Sequence, residues 1–219
     1  MLGDFSFAVW NSAQRTLFCA RDHFGIKPFY FFKNRNLFIF SNDLNAARSH
    51  PLVSGNLDDD AICDYFAFGY HLNATTTSFR HIKRIPPGNS LTVTPESSPK
   101  ISGYRQVTTS NRIRYRQESE YSDHFLDLFS RAVNDRLRTD RVSFELSGGM
   151  DSTSVTMLAV HLNRNNDRFS GLGITTDSSH IFPETGDAKF ARMVADEARI
   201  GHAFIEAGTE EDFYAFCST

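Results

Sequence analysis

Apolar and polar positions alternate with a period near two through the first hundred residues. Phe5, Phe7 and Val9 alternate with small or polar neighbours, the pattern of a half-buried strand. A turn over residues 11–14 leads to a second run at 16–20, and residues 29–32 and 37–40 are two further strand candidates. The polar stretch Lys33-Asn34-Arg35-Asn36 between those two has hairpin chemistry. A helix is expected over residues 59–68, where Asp58 can cap the first turn and Gly69 can close the last. Pro86-Pro87-Gly88 forms a hard turn before another strand at 90–93. This half predicts mostly antiparallel sheet.

The texture then changes. Residues 106–118 are polar and uneven, as a linker is. Beyond them Tyr121, Phe125, Leu128, Phe129, Ala132, Val133 and Leu137 fall on one face of a helix that Thr139-Asp140 ends. A strand at 142–146, a glycine loop, a helix near 152–162 and a strand near 169–174 follow. A helix near 184–199 and a strand beginning at Ala203 complete the order. Alternating strands and helices call for a parallel sheet with helical crossovers. The expectation is two domains, residues 1–105 and 119–219, the first mostly β and the second α/β.

Composition narrows the function. Of 219 residues 40 % are hydrophobic and 22 % charged, with a formal net charge of -3, an ordinary globular balance. A nucleic-acid backbone usually meets a basic excess, so such a partner is not expected. No apolar run approaches the roughly 20 residues that span a bilayer, and the first ten residues show no signal-peptide pattern. Three cysteines, Cys19, Cys63 and Cys217, show no metal-like spacing and suit a reducing cytoplasm.

The sharpest chemistry is Ser147-Gly148-Gly149-Met150-Asp151-Ser152, set between the apolar strand and a helix. Adjacent glycines remove the Cβ atoms that would hold a phosphate off the backbone, and they permit positive φ. The turn offers amide donors beside the positive end of a helix dipole. Ser147 and Ser152 add hydroxyls, and Asp151 makes sense once Mg²⁺ is included, since a carboxylate can hold the ion against phosphate oxygens. The string lacks the Gly-Lys-Ser/Thr of a Walker loop and the third glycine of a dinucleotide fingerprint. A Gly-Gly pair after a strand can also be no more than a tight turn.

The string resembles the PP-loop of N-type ATP pyrophosphatases, which cleave ATP to AMP and pyrophosphate. Gly3-Asp4-Phe5-Ser6-Phe7-Ala8-Val9-Trp10 and Ala20-Arg21-Asp22-His23-Phe24-Gly25-Ile26-Lys27-Pro28-Phe29-Tyr30 resemble the later part of a class II glutaminase domain. Ile85-Pro86-Pro87-Gly88 resembles the segment that closes it. A glutaminase half followed by a PP-loop half is the organisation of asparagine synthetases. The resemblance implies an Ntn-type β domain ahead of a PP-loop α/β domain. It implies activation of aspartate by ATP as β-aspartyl-AMP and amidation by ammonia released from glutamine. Ser147, Gly148, Gly149 and Ser152 would hold the phosphates, Asp151 the Mg²⁺, and Leu146 would meet the adenine. Leu172, Gly173 and Ile174 match a further adenosine contact. ATP, aspartate and glutamine are the implied small-molecule partners, and a homodimer stays open.

Against that family's pattern the chain is short at both ends. The glutaminase nucleophile is an N-terminal cysteine, whereas position 2 is Leu2 and Cys19 lies inside an expected strand. No catalytic residue of that half is therefore expected in this chain. The expectation is a fragment that alone hydrolyses no glutamine, completes no amide and tends to self-associate. β-Lactam synthetases and lasso-peptide cyclases share the architecture and are the alternative ligases. A non-catalytic nucleotide-binding remnant is the alternative outside enzymes.

Several other residues carry blander readings. Arg21 and Asp22 could touch substrate, but an ion pair pinning a loop is favoured. His23 reads as a polar loop residue, and Phe29-Tyr30-Phe31-Phe32 as strand core. Asp58-Asp59-Asp60 suits a helix dipole without any metal. Residues 177–184 follow a strand end, where ligands of parallel sheets gather, or form a solvated loop.

Overall fold

The computed structural model describes residues 3–105, 112–177 and 187–206. The chain divides into two compact units, Met1–Arg112 and Ile113–Thr219.

In the first unit, strands β1 (Ser6–Asn11), β2 (Thr16–Arg21), β6 (Asn89–Val93) and β7 (Lys100–Gly103) form one sheet in the order β1-β2-β6-β7. Strands β3 (Tyr30–Lys33), β4 (Phe38–Ser41) and β5 (Lys83–Arg84) form another, ordered β4-β3-β5. Every pairing in both is antiparallel. Pairing of Ala8 with Cys19, Cys19 with Leu91 and Leu91 with Ile101 puts these side chains on one face of the first sheet. There they pack with Phe29, Phe31, Ile85 and Val93 into a core. The aromatic run is strand core as expected, with Phe29, Phe31 and Phe32 all buried.

Among the described residues the same unit holds two helices, of which α1 (Leu44–Arg48) packs on β3 and β4. Helix α2 (Asp59–Phe68) begins where the Asp58 side chain accepts from the Ala61 amide and ends at Gly69 with φ of 76°. The Asp58 and Asp59 carboxylates also face Lys83 and Arg80 at 3.8 and 3.6 Å. Helix α1, capped by Asp43, was not expected from the sequence, and neither were β5 and β7.

The second unit runs α3 (Glu118–Asn134), β8 (Arg141–Glu145), α4 (Met150–Leu162), β9 (Ser170–Asp177), α5 (Asp187–Ala198) and β10 (Gly201–Glu206). The strands form a parallel sheet ordered β10-β9-β8. Its layers are fitted closely: a Cβ on Gly171 would lie 2.8 Å from a methyl of Ile200. Helix α3 stops at Asn134, short of the expected Thr139-Asp140, because Arg136 and Leu137 close a turn on Val133 and Asn134. Only part of its apolar stripe is covered. Val133 is buried and Phe129 packs beside it, whereas Tyr121, Phe125 and Leu128 are exposed. Among the described residues no helix is long and apolar enough to cross a membrane.

Candidate functional site

The loop Ser147–Ser152 leaves the C-terminal end of β8 and enters α4, the edge of a parallel sheet where ligands gather. Leu146 anchors its take-off. The side chain is fully buried against Ala191 and Ala195, and its amide donates to the Ile174 carbonyl at 2.8 Å. Its carbonyl accepts the Thr175 hydroxyl. Both backbone groups of this expected adenine neighbour are thus engaged within the sheet, which leaves the carbonyl's second lone pair for any ligand.

Only one of the two glycines uses left-handed backbone. Gly148 has φ of 78°, whereas Gly149 caps α4 at φ -72°. The sequence expectation that both supply unusual backbone freedom holds for Gly148 alone. At Gly149 an added Cβ would sit 3.3 Å from Ser147 Oγ, so there the missing side chain provides room.

The two serines close on each other. Ser152 Oγ accepts the Ser147 amide at 3.3 Å and donates to the Gly149 carbonyl at 3.2 Å. With its proton used there, Ser152 Oγ receives the Ser147 hydroxyl at 3.1 Å. Ser147 Oγ in turn accepts the Gly149 amide at 3.3 Å. Thr153 makes the first helical bond, to Gly149. The amides of Gly148, Met150, Asp151 and Ser152 have no acceptor among the described residues, and Gly149 supplies no side-chain cap. Four open donors at a helix N-terminus suit an anion.

Asp151 stands in the first turn of α4, exposed, with no hydrogen bond or ion pair among the described residues. Mg²⁺ usually takes only one or two protein carboxylates and completes its shell with phosphate oxygens and water. A single open carboxylate beside open amides fits that donor set. Among the described residues no cluster of three metal-ligating side chains exists; Asp58 instead caps α2 and faces Lys83, and Asp59 faces Arg80.

The remaining expected contacts lie on the neighbouring strand. Leu172 is exposed, Gly173 buried and Ile174 half-buried on β9, and Gly173 lies where a Cβ would meet the Leu146 side chain at 3.2 Å. Residues 178–184, the possible rim of the site, lie outside the described residues. The sequence reading missed Thr175 and His202. His202 Nε2 lies 2.8 Å from Thr175 Oγ1, and no motif links residues so far apart in the chain.

In the first unit the favoured ion pair between Arg21 and Asp22 does not form. The Arg21 guanidinium donates to the carbonyls of Lys27, Ile85 and Gly25. Asp22 accepts from the amides of Phe24, Ile26 and Lys27 at 3.1, 3.0 and 2.9 Å. Burial alone would raise the Asp22 carboxyl, but these amides, with that of Gly25, hold it below the ordinary carboxylate range. The pair does pin a loop, each partner acting on backbone instead of on the other. His23 packs edge-on against Phe5 and Tyr104, a loop role as expected. Cys19 is fully buried, which pushes its thiol up to about 12 and rules it out as a nucleophile. Cys63 is a free, exposed thiol.

Comparison with known proteins agrees with this division. Residues 1–104 match the model of the glutamine amidotransferase domain, and residues 124–216 match the model of asparagine synthase. The chain is 32 % identical over 165 residues to asparagine synthetase [glutamine-hydrolyzing] 3 of Bacillus subtilis, covering 72 % of this chain and 25 % of that protein. Synthetase 2 of the same organism is 26 % identical over 210 residues, covering 91 % of this chain and 27 % of the relative. A putative asparagine synthetase of Methanocaldococcus jannaschii is 26 % identical over 156 residues, 70 % of this chain and 30 % of the relative. The chain thus spans between a quarter and a third of the length of these relatives. Its paired antiparallel and parallel units, its loop and these matches agree: the chain belongs to the asparagine synthetase family, a glutamine amidotransferase domain ahead of an asparagine synthase domain.

Proposed function

We propose that the chain is part of a glutamine-dependent asparagine synthetase and that its second domain binds ATP for activation of the aspartate side chain. In this reading residues 1–105 are glutaminase-derived with an Ntn-type fold, and residues 119–219 are the start of a PP-loop synthetase domain. A carboxylate oxygen is a poor leaving group and AMP a good one, so transfer of the adenylyl group to aspartate with loss of pyrophosphate prepares the carbon for ammonia. The open amides of Gly148, Met150, Asp151 and Ser152 and the hydroxyls of Ser147 and Ser152 would bind the phosphates. Leu146 and the 172–174 stretch of β9 would border the adenosine. Asp151 would hold Mg²⁺, which when bound neutralises charge on the phosphates. The reading includes a cytoplasmic setting, which the free thiols of Cys19 and Cys63 suit.

The observation that carries it is the run of amides at the start of α4 that have no acceptor among the described residues, with a carboxylate in the same turn that has no partner among them either. Calorimetric titration with ATP, with and without Mg²⁺, tests it. Saturable binding that strengthens with Mg²⁺ in the unmodified chain, and loses that dependence in Asp151→Asn, is the expected result. Absence of saturable binding at millimolar ATP would remove the reading.

A further inference from the structure

Beneath the loop lies a side-chain relay that the proposed chemistry does not use. Thr175 is 3 % exposed on β9, and its hydroxyl donates to the Leu146 carbonyl. A hydroxyl has one proton, so Thr175 Oγ1 must accept from its other neighbour, His202 Nε2, 2.8 Å away on β10. That fixes the tautomer of His202, with the proton on Nε2 and Nδ1 bare. Nδ1 is buried and has no partner among the described residues. A second proton there would add an unmatched charged donor. Burial foremost, then the neighbouring Arg192, keeps the imidazole below its ordinary value, while Asp196 pulls the other way.

We propose that Thr175 and His202 are positioning residues for the nucleotide loop, fixing the Leu146 carbonyl and with it the direction in which Ser147–Ser152 leaves the sheet. The inference rests on the nucleotide reading above. Leu146 is the last residue before the loop, and its amide is already bound to Ile174. The relay holds the next peptide plane, in which the Leu146 carbonyl lies with the Ser147 amide. The Leu146 side chain and the His202 ring fit over a gap that the missing Gly173 side chain leaves: a Cβ there would approach Leu146 Cδ2 at 3.2 Å and His202 Cδ2 at 3.4 Å.

The test compares Thr175→Val and His202→Leu, which break the relay at similar volume, with Thr175→Ser and His202→Gln, which preserve a hydroxyl and an Nε donor. ATP affinity in the presence of Mg²⁺ is read by calorimetry on the full chain, alongside the thermal midpoint. The first two variants should bind ATP about five- to tenfold more weakly, the scale of one net hydrogen bond. The second two should stay within about twofold of the unmodified chain. A purely structural role would shift the midpoints and leave affinity unchanged. Imidazole ¹⁵N shifts of the unmodified chain should show the proton on Nε2 of His202, a measurement that needs no variant to fold. Unmodified affinity in Thr175→Val, or a proton on Nδ1, overturns the relay while leaving the nucleotide site standing. Failure of the unmodified chain to bind ATP overturns both.

Discussion

Asp22 shows how a charge can be chosen for backbone chemistry and not for a partner of opposite sign. It is 1 % exposed and gathers three amides of the following turn, while Arg21 gathers three carbonyls. Replacing Asp22 by Ala leaves three part-buried amides without their acceptor, and a loss of about 2–3 kcal/mol in a urea titration is expected. From sequence alone the adjacent opposite charges suggested a mutual bond, since motif reading sees neighbours in the chain and not the carbonyls of Ile85 that fold beneath them. Cys19 makes a second prediction at this scale. Its folded thiol titrates near 12 against an ordinary 9.0, so the neutral form's contribution is complete below about 9 and is lost as pH rises towards 12. Iodoacetamide at pH 8 should label Cys63 in the native protein and leave Cys19 unmodified until the chain is unfolded.

Elements with strong local signals were legible and those built by distant contacts were not. Helix α2 was readable to the residue because Asp58 and Gly69 satisfy its ends within the local chain. Strand β5 is two residues long, and β7 carries a single large apolar side chain, Ile101, so neither has a period to detect. The stripe on α3 correctly announced a helix, but periodicity identifies a face without saying what covers it. The loop of the candidate site was legible as a motif, whereas the division of labour between its glycines was not, because φ is set by the closed conformation. That division is testable. Gly148→Ala places a side chain at φ of 78° and is expected to cost about 1–2 kcal/mol and to weaken ATP binding strongly. Gly149→Ala keeps an ordinary φ and meets only the rotatable Ser147 hydroxyl, so its ATP affinity should fall less in the same titration.

Across the whole chain, the change from period-two alternation to strand–helix alternation marked the passage from antiparallel to parallel sheet, and each unit proves to have cores of its own. The relay from His202 to Leu146 was invisible at that level, since it joins β8, β9 and β10 through side chains. The two units should respond to pH at opposite ends. His202 is depressed in the folded state by burial and Arg192, so its contribution is present above its ordinary 6.5 and is lost as pH falls below it. Cys19 acts on the first unit only in alkali. Amide protection factors at Leu146 and Leu91 separate them: mild acid should lower protection at Leu146 first, and pH above about 10 should lower it at Leu91 first.

The mutual closure of Ser147 and Ser152 has a thermodynamic consequence. Because each hydroxyl already has a protein partner, a phosphate bound as proposed would trade bonds at these two positions instead of adding them. Association should therefore release less heat than the number of final contacts suggests, with much of its free energy coming from Coulomb attraction and displaced water. Raising ionic strength would then erode affinity more steeply than removing either hydroxyl.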